Sequence, residues 1–196
     1  MAVEHQTPQL VMRRPNLDHL PPLDLPEGYV ARHYQEGDRE AWTRIIADSF
    51  ATVMAPDAFE QRFNGGVFRP EQIWFVAAGD VPVATAAAWV VPRWGEQRGM
   101  LHMVGALSTH RGRRLGLLVS LAALYQMARE GRTEAVLQTD DFRLPAVRTY
   151  LTLGFEPCLI HDNQRARWRA VLPQVGVDDV ETRFGTILDG PLVPVD

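Results

Sequence analysis

The sequence predicts a mixed α/β fold, and three features carry that prediction. The early strands follow one another, with Gly79-Asp80 as a hairpin turn signal between two of them. The later strands alternate with helices, a pattern typical of a mixed sheet that is covered by helices on both faces. One of those helices, at residues 113–130, is apolar on almost every side and has to pack between other layers.

Hydrophobic periodicity predicts the elements in order: a strand, two helices, three strands, a helix, a strand, a helix and two final strands. Asp38 is a candidate N-cap of the first helix, and Pro145 suits the first turn of the last helix. Helix ends are marked by Gly65-Gly66, Gly131 and Gly154. The predicted strands are residues 29–34, 73–78, 83–91, 100–107, 135–139, 155–161 and 167–172.

The length of 196 residues suits one domain, which we expect at residues 28–172. An N-terminal arm, residues 1–27, is rich in proline and polar residues and holds a candidate edge strand at residues 10–12. A C-terminal tail, residues 173–196, loses periodicity. This tail and the exposed late strands could support a homodimer.

Composition argues against several classes of protein. A net charge of −4 gives no reason to expect a nucleic-acid partner. No apolar run reaches the roughly 20 residues of a membrane span, and the first residues lack the apolar segment of a signal peptide. We therefore expect a soluble, cytoplasmic protein. The single cysteine, Cys158, excludes an internal disulfide, and no histidine has metal-ligand spacing, so we expect no metal.

Residues 108–117, S-T-H-R-G-R-R-L-G-L, place three arginines where the long apolar helix begins. Arg111, Arg113 and Arg114 are unfavourable there, because the free N–H groups of a helix start already carry about half a positive charge. A bound anion, most simply a phosphate held by the same N–H groups, would favour this arrangement. The alternative is that these long side chains extend into water.

The arginine segment resembles the pyrophosphate-binding element of the GCN5-related N-acetyltransferase (GNAT) family, R/Q-x-x-G-x-G/A. Residues 111–116, R-G-R-R-L-G, fit its spacing, with Arg114 where the family has its first glycine. An arginine suits that position if its φ is negative. Residues 146–155, A-V-R-T-Y-L-T-L-G-F, are similar to a second family element, A-x-x-x-Y-x-x-x-G-F. The resemblance covers residues 28–172 and implies a GNAT-like acyl-CoA N-acyltransferase fold.

The resemblance implies acetyl-CoA as the acyl carrier. Its pyrophosphate would rest on the N–H groups of residues 112–117, with Arg111 and Arg113 within reach, and its pantetheine arm on the backbone of residues 104–106. Arg143 stands where the family often has an asparagine. The implied contacts with acetyl-CoA are Val104, Gly105, Ala106, Arg111, Gly112, Arg113, Arg114, Leu115, Gly116, Leu117 and Arg143.

Two of these positions have a second interpretation. Gly105, inside a strand, indicates either a β-bulge with close backbone approach or simple steric relief against a neighbouring helix. Arg143 could reach the pantetheine carbonyls or a phosphate, or it could form a salt bridge with Asp140 or Asp141.

Tyr150 falls on the position of the family's general acid. A phenol, with a pKa of about 10, can protonate a departing thiolate, whose thiol has a pKa of about 8.5. The alternative is that Tyr150 only packs, because it shares helical spacing with Val147 and Leu153.

A general base is harder to assign. Gln138 stands where some family members carry a glutamate, and an amide cannot accept a proton at neutral pH. Glu96, His102 or Asp140 could act instead through a water, although a lone strand histidine such as His102 is more often structural. The five tryptophans could line an acceptor pocket, but most suit the core.

The sequence therefore predicts an N-acetyltransferase that transfers an acetyl group from acetyl-CoA to a small amine. Transfer would be direct, since Cys158 has no base partner that would make it a nucleophile. The alternative is a non-catalytic acyl-CoA-binding module, which the departures at Arg114, Gln138 and Arg143 would suit. A domain that serves only partner assembly would bind no CoA.

Overall fold

A computed structural model of the protein describes residues 7–63 and 69–194. The predicted helix end at Gly65-Gly66 lies outside the described residues. The chain divides into two compact units. The larger unit is residues 15–135, and the smaller unit combines the residues up to 14 with those from 136 onward.

The order of helices and strands follows the prediction up to the strand expected at residues 155–161, and the candidate strand at residues 10–12 also forms. The strands are β1 (Leu10–Arg14), β2 (Tyr29–His33), β3 (Ile73–Ala78), β4 (Val81–Trp89), β5 (Arg98–Ala106), β6 (Glu134–Thr139) and β7 (Glu156–Cys158). The helices are α1 (Asp38–Phe50), α2 (Ala58–Arg62), α3 (Leu115–Arg129), α4 (Leu144–Thr152), α5 (Asn163–Gln174) and α6 (Val180–Leu188).

In the larger unit, β2, β3, β4 and β5 pair in that order, each antiparallel to the next. The predicted hairpin is confirmed, since Ala78 pairs with Val81 across Gly79-Asp80. Helices α1 and α3 both pack on this sheet, and β4 is buried at every residue from Pro82 onward. A strand buried along its length needs cover on both faces, so the two helices lie on opposite faces.

A β-bulge interrupts β5 shortly before the arginine segment. The register against β4 gains one residue between His102 and Gly105, and Met103 takes a φ of 49° within this stretch. Gly105 also lies close to α1, because a Cβ there would be 3.0 Å from Cδ1 of Ile46. Both interpretations of Gly105 therefore hold, since the strand bulges beside it and a helix packs against it.

In the smaller unit, β1 lies between β6 and β7 and pairs antiparallel with β7. The N-terminal strand is therefore not an edge strand of this group, and its first three residues, Leu10–Met12, are fully buried. At its end, the Arg14 guanidinium donates to the carbonyl of Leu153, at the end of α4. Gly154 follows with a φ of 81°, which confirms it as the residue that ends this helix.

The predicted strand at residues 167–172 is wrong, because this stretch belongs to α5. Residues 165–170, R-A-R-W-R-A, alternate polar and apolar side chains, which imitates a half-buried strand. The helix instead buries Gln164, Trp168, Val171 and Leu172, whose spacing of three and four residues is helical. The strand predicted at residues 155–161 is correspondingly short, three residues in β7.

The predicted C-terminal tail contains α6, which periodicity did not reveal. The Asp179 side chain caps this helix by accepting the N–H of Thr182 at 3.0 Å. Arg169 of α5 forms ion pairs with Glu181 at 2.7 Å and with Asp189 at 2.8 Å. Because these partners lie at the two ends of α6, the arginine holds the two helices together.

All five tryptophans are buried, as core residues should be. None of the helices in the described ranges is both long enough and apolar enough to span a bilayer.

Candidate phosphate loop and catalytic tyrosine

The arginine segment forms a loop rich in unpaired backbone donors. A 3₁₀ turn covers Ser108–His110, and α3 begins at Leu115, two residues later than predicted, with Arg114 as its N-cap residue. Within the described part of the chain, no acceptor pairs with the backbone N–H groups of residues 112–116, whereas the N–H of Leu117 donates to the Arg114 carbonyl at 3.0 Å. We call residues 111–116 the phosphate loop, because successive free N–H groups are what an anion requires.

The arginines of the phosphate loop are exposed and lack carboxylate partners among the described residues. Arg111, Arg113 and Arg114 share this property, although many arginines elsewhere in the chain form ion pairs. Exposed side chains are expected whether the arginines bind an anion or extend into water. The free N–H groups beside them favour the anion, because five backbone donors would otherwise rely on water alone.

Two contacts that sequence reasoning missed anchor the turn before the phosphate loop. Asp48, near the end of α1, accepts the Ser108 N–H at 2.5 Å and the Ser108 hydroxyl at 3.0 Å. The Tyr29 hydroxyl lies 2.8 Å from Nδ1 of His110. These partners are 60 and 81 residues apart in the chain, and no local pattern signals them.

Arg114 adopts a left-handed conformation, with φ 56° and ψ 24°. The negative φ that would suit an arginine at this position is therefore not observed. A residue with a Cβ is destabilised by about 1–2 kcal/mol in the left-handed conformation, which explains why the family prefers glycine at this position. Gly112, with φ 80°, is the other left-handed residue of the loop.

Replacing Arg114 with glycine is expected to raise the free energy of unfolding by about 1 kcal/mol. Glycine removes the left-handed strain, and its freer unfolded chain cancels only part of that gain. Arg113→Gly is the matched control, because the φ of Arg113 is not positive and glycine should destabilise there. Thermal unfolding of both variants measures the difference, and a loss of stability at both positions would contradict strain at Arg114.

The strand segment of the expected pantetheine contacts begins inside the β-bulge. Gly105 pairs with Thr85 and Ala106 with Ala84, while Val104 lies inside the bulge, where the register leaves one residue of β5 without an opposite residue on β4. A bulge disrupts the local ladder and leaves backbone groups available to another partner.

Tyr150 lies on α4 in the smaller unit and is only 7% exposed. Its ring meets that of Phe155 edge to face, with centroids 6.0 Å apart. Burial raises the pKa of Tyr150 to about 12, and the positive charge of Arg143 opposes that shift. The described residues offer its hydroxyl no hydrogen-bond partner, so the side chain both packs and retains a proton to donate.

Arg143 precedes α4 and forms one of its two predicted salt bridges. Its Nε donates to Oδ2 of Asp140 at 3.1 Å. Asp141 is instead bound by Arg167 of α5. The sequence left both carboxylates open as partners, and the structure pairs Arg143 with Asp140.

His102 and Asp140 are both engaged in other contacts, and the third base candidate, Glu96, is exposed in the turn before β5. Burial lowers the pKa of His102 to about 4, and its Nε2 lies 3.2 Å from the Arg62 carbonyl, which assigns the ring proton to Nε2. Asp140 is held by the cation of Arg143 and also accepts from Gln9 at 3.0 Å. Neutral His102 keeps Nδ1 as an acceptor, but it is a weak one.

A sequence model of the Acetyltransferase (GNAT) family matches residues 34–155. That range contains the phosphate loop, the β-bulge and Tyr150. The chain belongs to the GNAT acetyltransferase family. The resemblance carried by residues 111–116 and 146–155 is thereby confirmed at the level of the family.

Among curated proteins, this GNAT chain is similar to mycothiol acetyltransferases. It is 31% identical to the one from Thermobispora bispora over 155 residues, covering 74% of this chain and 52% of that protein. It is 33% identical to the one from Kytococcus sedentarius over 159 residues, with coverage of 74% and 52%. The chain thus spans about half the length of the curated relatives it matches.

Solved structures confirm the fold class. A GCN5-related N-acetyltransferase from Kribbella flavida is 28% identical with a TM-score of 0.55, over 77% of this chain and 55% of that one. Another, from Sphaerobacter thermophilus, has a TM-score of 0.61 at 24% identity, over 77% and 49% of the two chains, and supports the fold alone.

Proposed function

We propose that this GNAT chain is an N-acetyltransferase that transfers an acetyl group from acetyl-CoA directly to the amine of a small acceptor. The observation that carries the proposal is the phosphate loop, where five N–H groups and three arginines have no partner among residues 7–63 and 69–194, within a chain of this family. Acetyl-CoA supplies an acetyl thioester together with a pyrophosphate that matches such a loop.

The residues of the larger unit would hold the carrier. The N–H groups of residues 112–116 would bind the pyrophosphate, and Arg111 and Arg113 would neutralise its charge. Arg114 adds a third cation, and its N–H remains a donor despite the left-handed backbone. The β5 segment Val104–Ala106 would bind the pantetheine arm through backbone groups beside the bulge. Leu115 is included through its free N–H, and the family resemblance also implies contacts from Leu117 and Arg143.

Tyr150 would act as the general acid. Its raised pKa keeps the phenol protonated at neutral pH, so a proton is available for the thiolate that leaves. Direct transfer is favoured because Cys158 is 3% exposed and cannot serve as an acyl carrier from that position. We assign no general base, since burial lowers the pKa of His102 and Asp140 is already bound by Arg143 and Gln9.

The acceptor class follows from the relatives. Proteins named mycothiol acetyltransferase, similar over 74% of this chain, suggest an unacetylated form of mycothiol or a related small amine. The chain spans about half the length of those proteins, so the similarity does not by itself show an acceptor site like theirs. We include such a site in the proposal.

The test is release of CoA from acetyl-CoA in the presence of candidate amines. We expect release only with an acceptor present, and the panel should include unacetylated mycothiol, amino sugars, amino acids and polyamines. Calorimetry supplies the affinity for acetyl-CoA in the same samples. Tight binding of acetyl-CoA with no turnover across the panel would favour the acyl-CoA-binding module. Failure to bind acetyl-CoA at any salt concentration would exclude both the enzyme and the binding module.

A cytoplasmic location and a homodimer stay predictions of the sequence.

A further inference from the structure

A residue of α5 forms hydrogen bonds with the loop between β6 and α4, residues 140–143. Arg167 binds the Asp141 carboxylate in a bidentate manner: Nε donates to Oδ1 at 2.9 Å, and a terminal nitrogen donates to Oδ2. The other terminal nitrogen of the same guanidinium donates to the Pro8 carbonyl at 2.7 Å. One arginine thus joins this loop, the N-terminal arm and α5.

The neighbouring carboxylate has different partners. Oδ2 of Asp140 accepts from Arg143 at 3.1 Å, and its Oδ1 accepts from the Gln9 amide at 3.0 Å. Gln164, fully buried on α5, donates to the Gln9 carbonyl at 2.6 Å and so holds the arm in place. Each of the two adjacent carboxylates therefore has its own arginine.

Asp140 and Asp141 both lie within three residues of Arg143, which precedes the helix that carries Tyr150. Either carboxylate is therefore near enough in the chain to compete for Arg143. The hydrogen bonds from Arg167 hold the pKa of Asp141 below its usual range, so this carboxylate is ionised near neutral pH. Without Arg167, Asp141 would be a charged group with no designated cation beside Arg143. It could then draw the arginine from Asp140 and shift the start of α4.

We propose that Arg167 is a positioning residue for acetyl transfer, because it occupies Asp141, leaves Arg143 with Asp140 and thereby fixes the loop from which the Tyr150 helix begins. The assignment rests on the proposed function. Arg167 lies outside residues 34–155, the range matched by the family model, and so do Pro8, Gln9 and Gln164. The contacts made by Arg167 therefore involve residues on both sides of the range that the family model matches.

The test compares Arg167→Ala with the double variant Arg167→Ala/Asp141→Asn in the full chain. We expect Arg167→Ala to lower kcat/KM about tenfold, since small misplacements of a catalytic group are costly. Removing the competing charge in the double variant should restore most of that loss. Arg167→Lys should lose less than alanine, because it keeps a cation beside Asp141 but not the bidentate grip.

Hydrogen exchange of the amides of residues 139–147, measured without ligands, gives a readout that does not depend on turnover. Exchange should become faster in Arg167→Ala and return towards the wild-type rate in the double variant. Arg169→Ala is the control, since this arginine lies on the same helix but pairs with Glu181 and Asp189. It should leave both readouts unchanged, even if it lowers thermal stability.

Unchanged exchange and kcat/KM in Arg167→Ala would overturn the assignment. A loss that the double variant does not recover would also overturn it, because a merely structural contact is not rescued by removing its partner. A wild-type protein that turns over no acceptor would refute the proposed function, and the exchange experiment would still decide whether Arg167 fixes the loop.

Discussion

Gly116→Asp is expected to weaken acetyl-CoA binding about 100-fold while stabilising the unliganded protein. Gly116 is the second residue of α3, and a Cβ built there meets no atom within 4 Å, so the substitution fits without strain. If the pyrophosphate binds the phosphate loop as proposed, a carboxylate about 5 Å away would repel it by roughly 3 kcal/mol at an effective dielectric constant of about 20. The same carboxylate favours the helix start in the absence of phosphate.

The opposite signs make this test specific. Aspartate in place of glycine improves helix propensity and complements the helix dipole, together worth about 1 kcal/mol of unfolding free energy. Lost affinity therefore cannot be explained by a damaged fold. Thermal unfolding measures the free energy of unfolding, and calorimetry measures the affinity for acetyl-CoA.

Gly116→Asn is the matched control for charge, since it adds a side chain of the same size. It should bind acetyl-CoA within about fivefold of wild type if repulsion dominates. Equal losses with asparagine and aspartate would instead indicate that bulk blocks the loop. Wild-type affinity in Gly116→Asp would place the pyrophosphate somewhere other than the phosphate loop.

Tyr150→Phe is expected to lower kcat about 100-fold and to change the affinity for acetyl-CoA less than threefold, since general acids typically contribute about 100-fold or more. The variant should fold, because the described residues give the hydroxyl no partner and phenylalanine keeps the buried ring. Separate measurement of kcat by acceptor-dependent CoA release and of Kd by calorimetry tests the split between chemistry and binding.

The pH dependence of the same reaction gives a second expectation. With a pKa of about 12, Tyr150 stays protonated from neutral pH to about pH 11, so its ionisation should not reduce kcat in that range. Tyr125→Phe is the control for removing a tyrosine hydroxyl, because Tyr125 lies on α3 and its hydroxyl donates to the Pro21 carbonyl at 3.0 Å. Wild-type turnover in Tyr150→Phe would remove Tyr150 from the mechanism and leave it a packing residue.

Much of the fold could be predicted because it depends on local patterns. The hairpin at Gly79-Asp80 and the helix ends at Gly131 and Gly154 follow from the φ angles that glycine permits, and all three are observed with positive φ or as a paired turn. The buried helix α3 follows from apolar residues on all its sides. The order of elements up to β7 therefore needed no knowledge of distant contacts.

The C-terminal helices could not be predicted in the same way. In α5 the arginines alternate with apolar residues, so the local pattern favoured a strand. Those arginines are satisfied by distant carboxylates, Asp141 for Arg167 and Glu181 with Asp189 for Arg169. The helix buries Trp168, Val171 and Leu172 at helical spacing, and that burial depends on elements that are distant in the sequence.

From local patterns the sequence by itself predicted the mixed fold and an anion-binding loop at residues 111–116, and its resemblance to the GNAT family indicated acetyl-CoA and Tyr150. Tertiary structure alone decided three further matters. Arg114 is held with a positive φ, Asp48 and Tyr29 anchor the preceding turn, and Arg167 binds Asp141 while Arg143 binds Asp140. The anchors and the Arg167 pair join residues 26 to 81 positions apart, and chain folding rather than local propensity brings them within hydrogen-bonding distance.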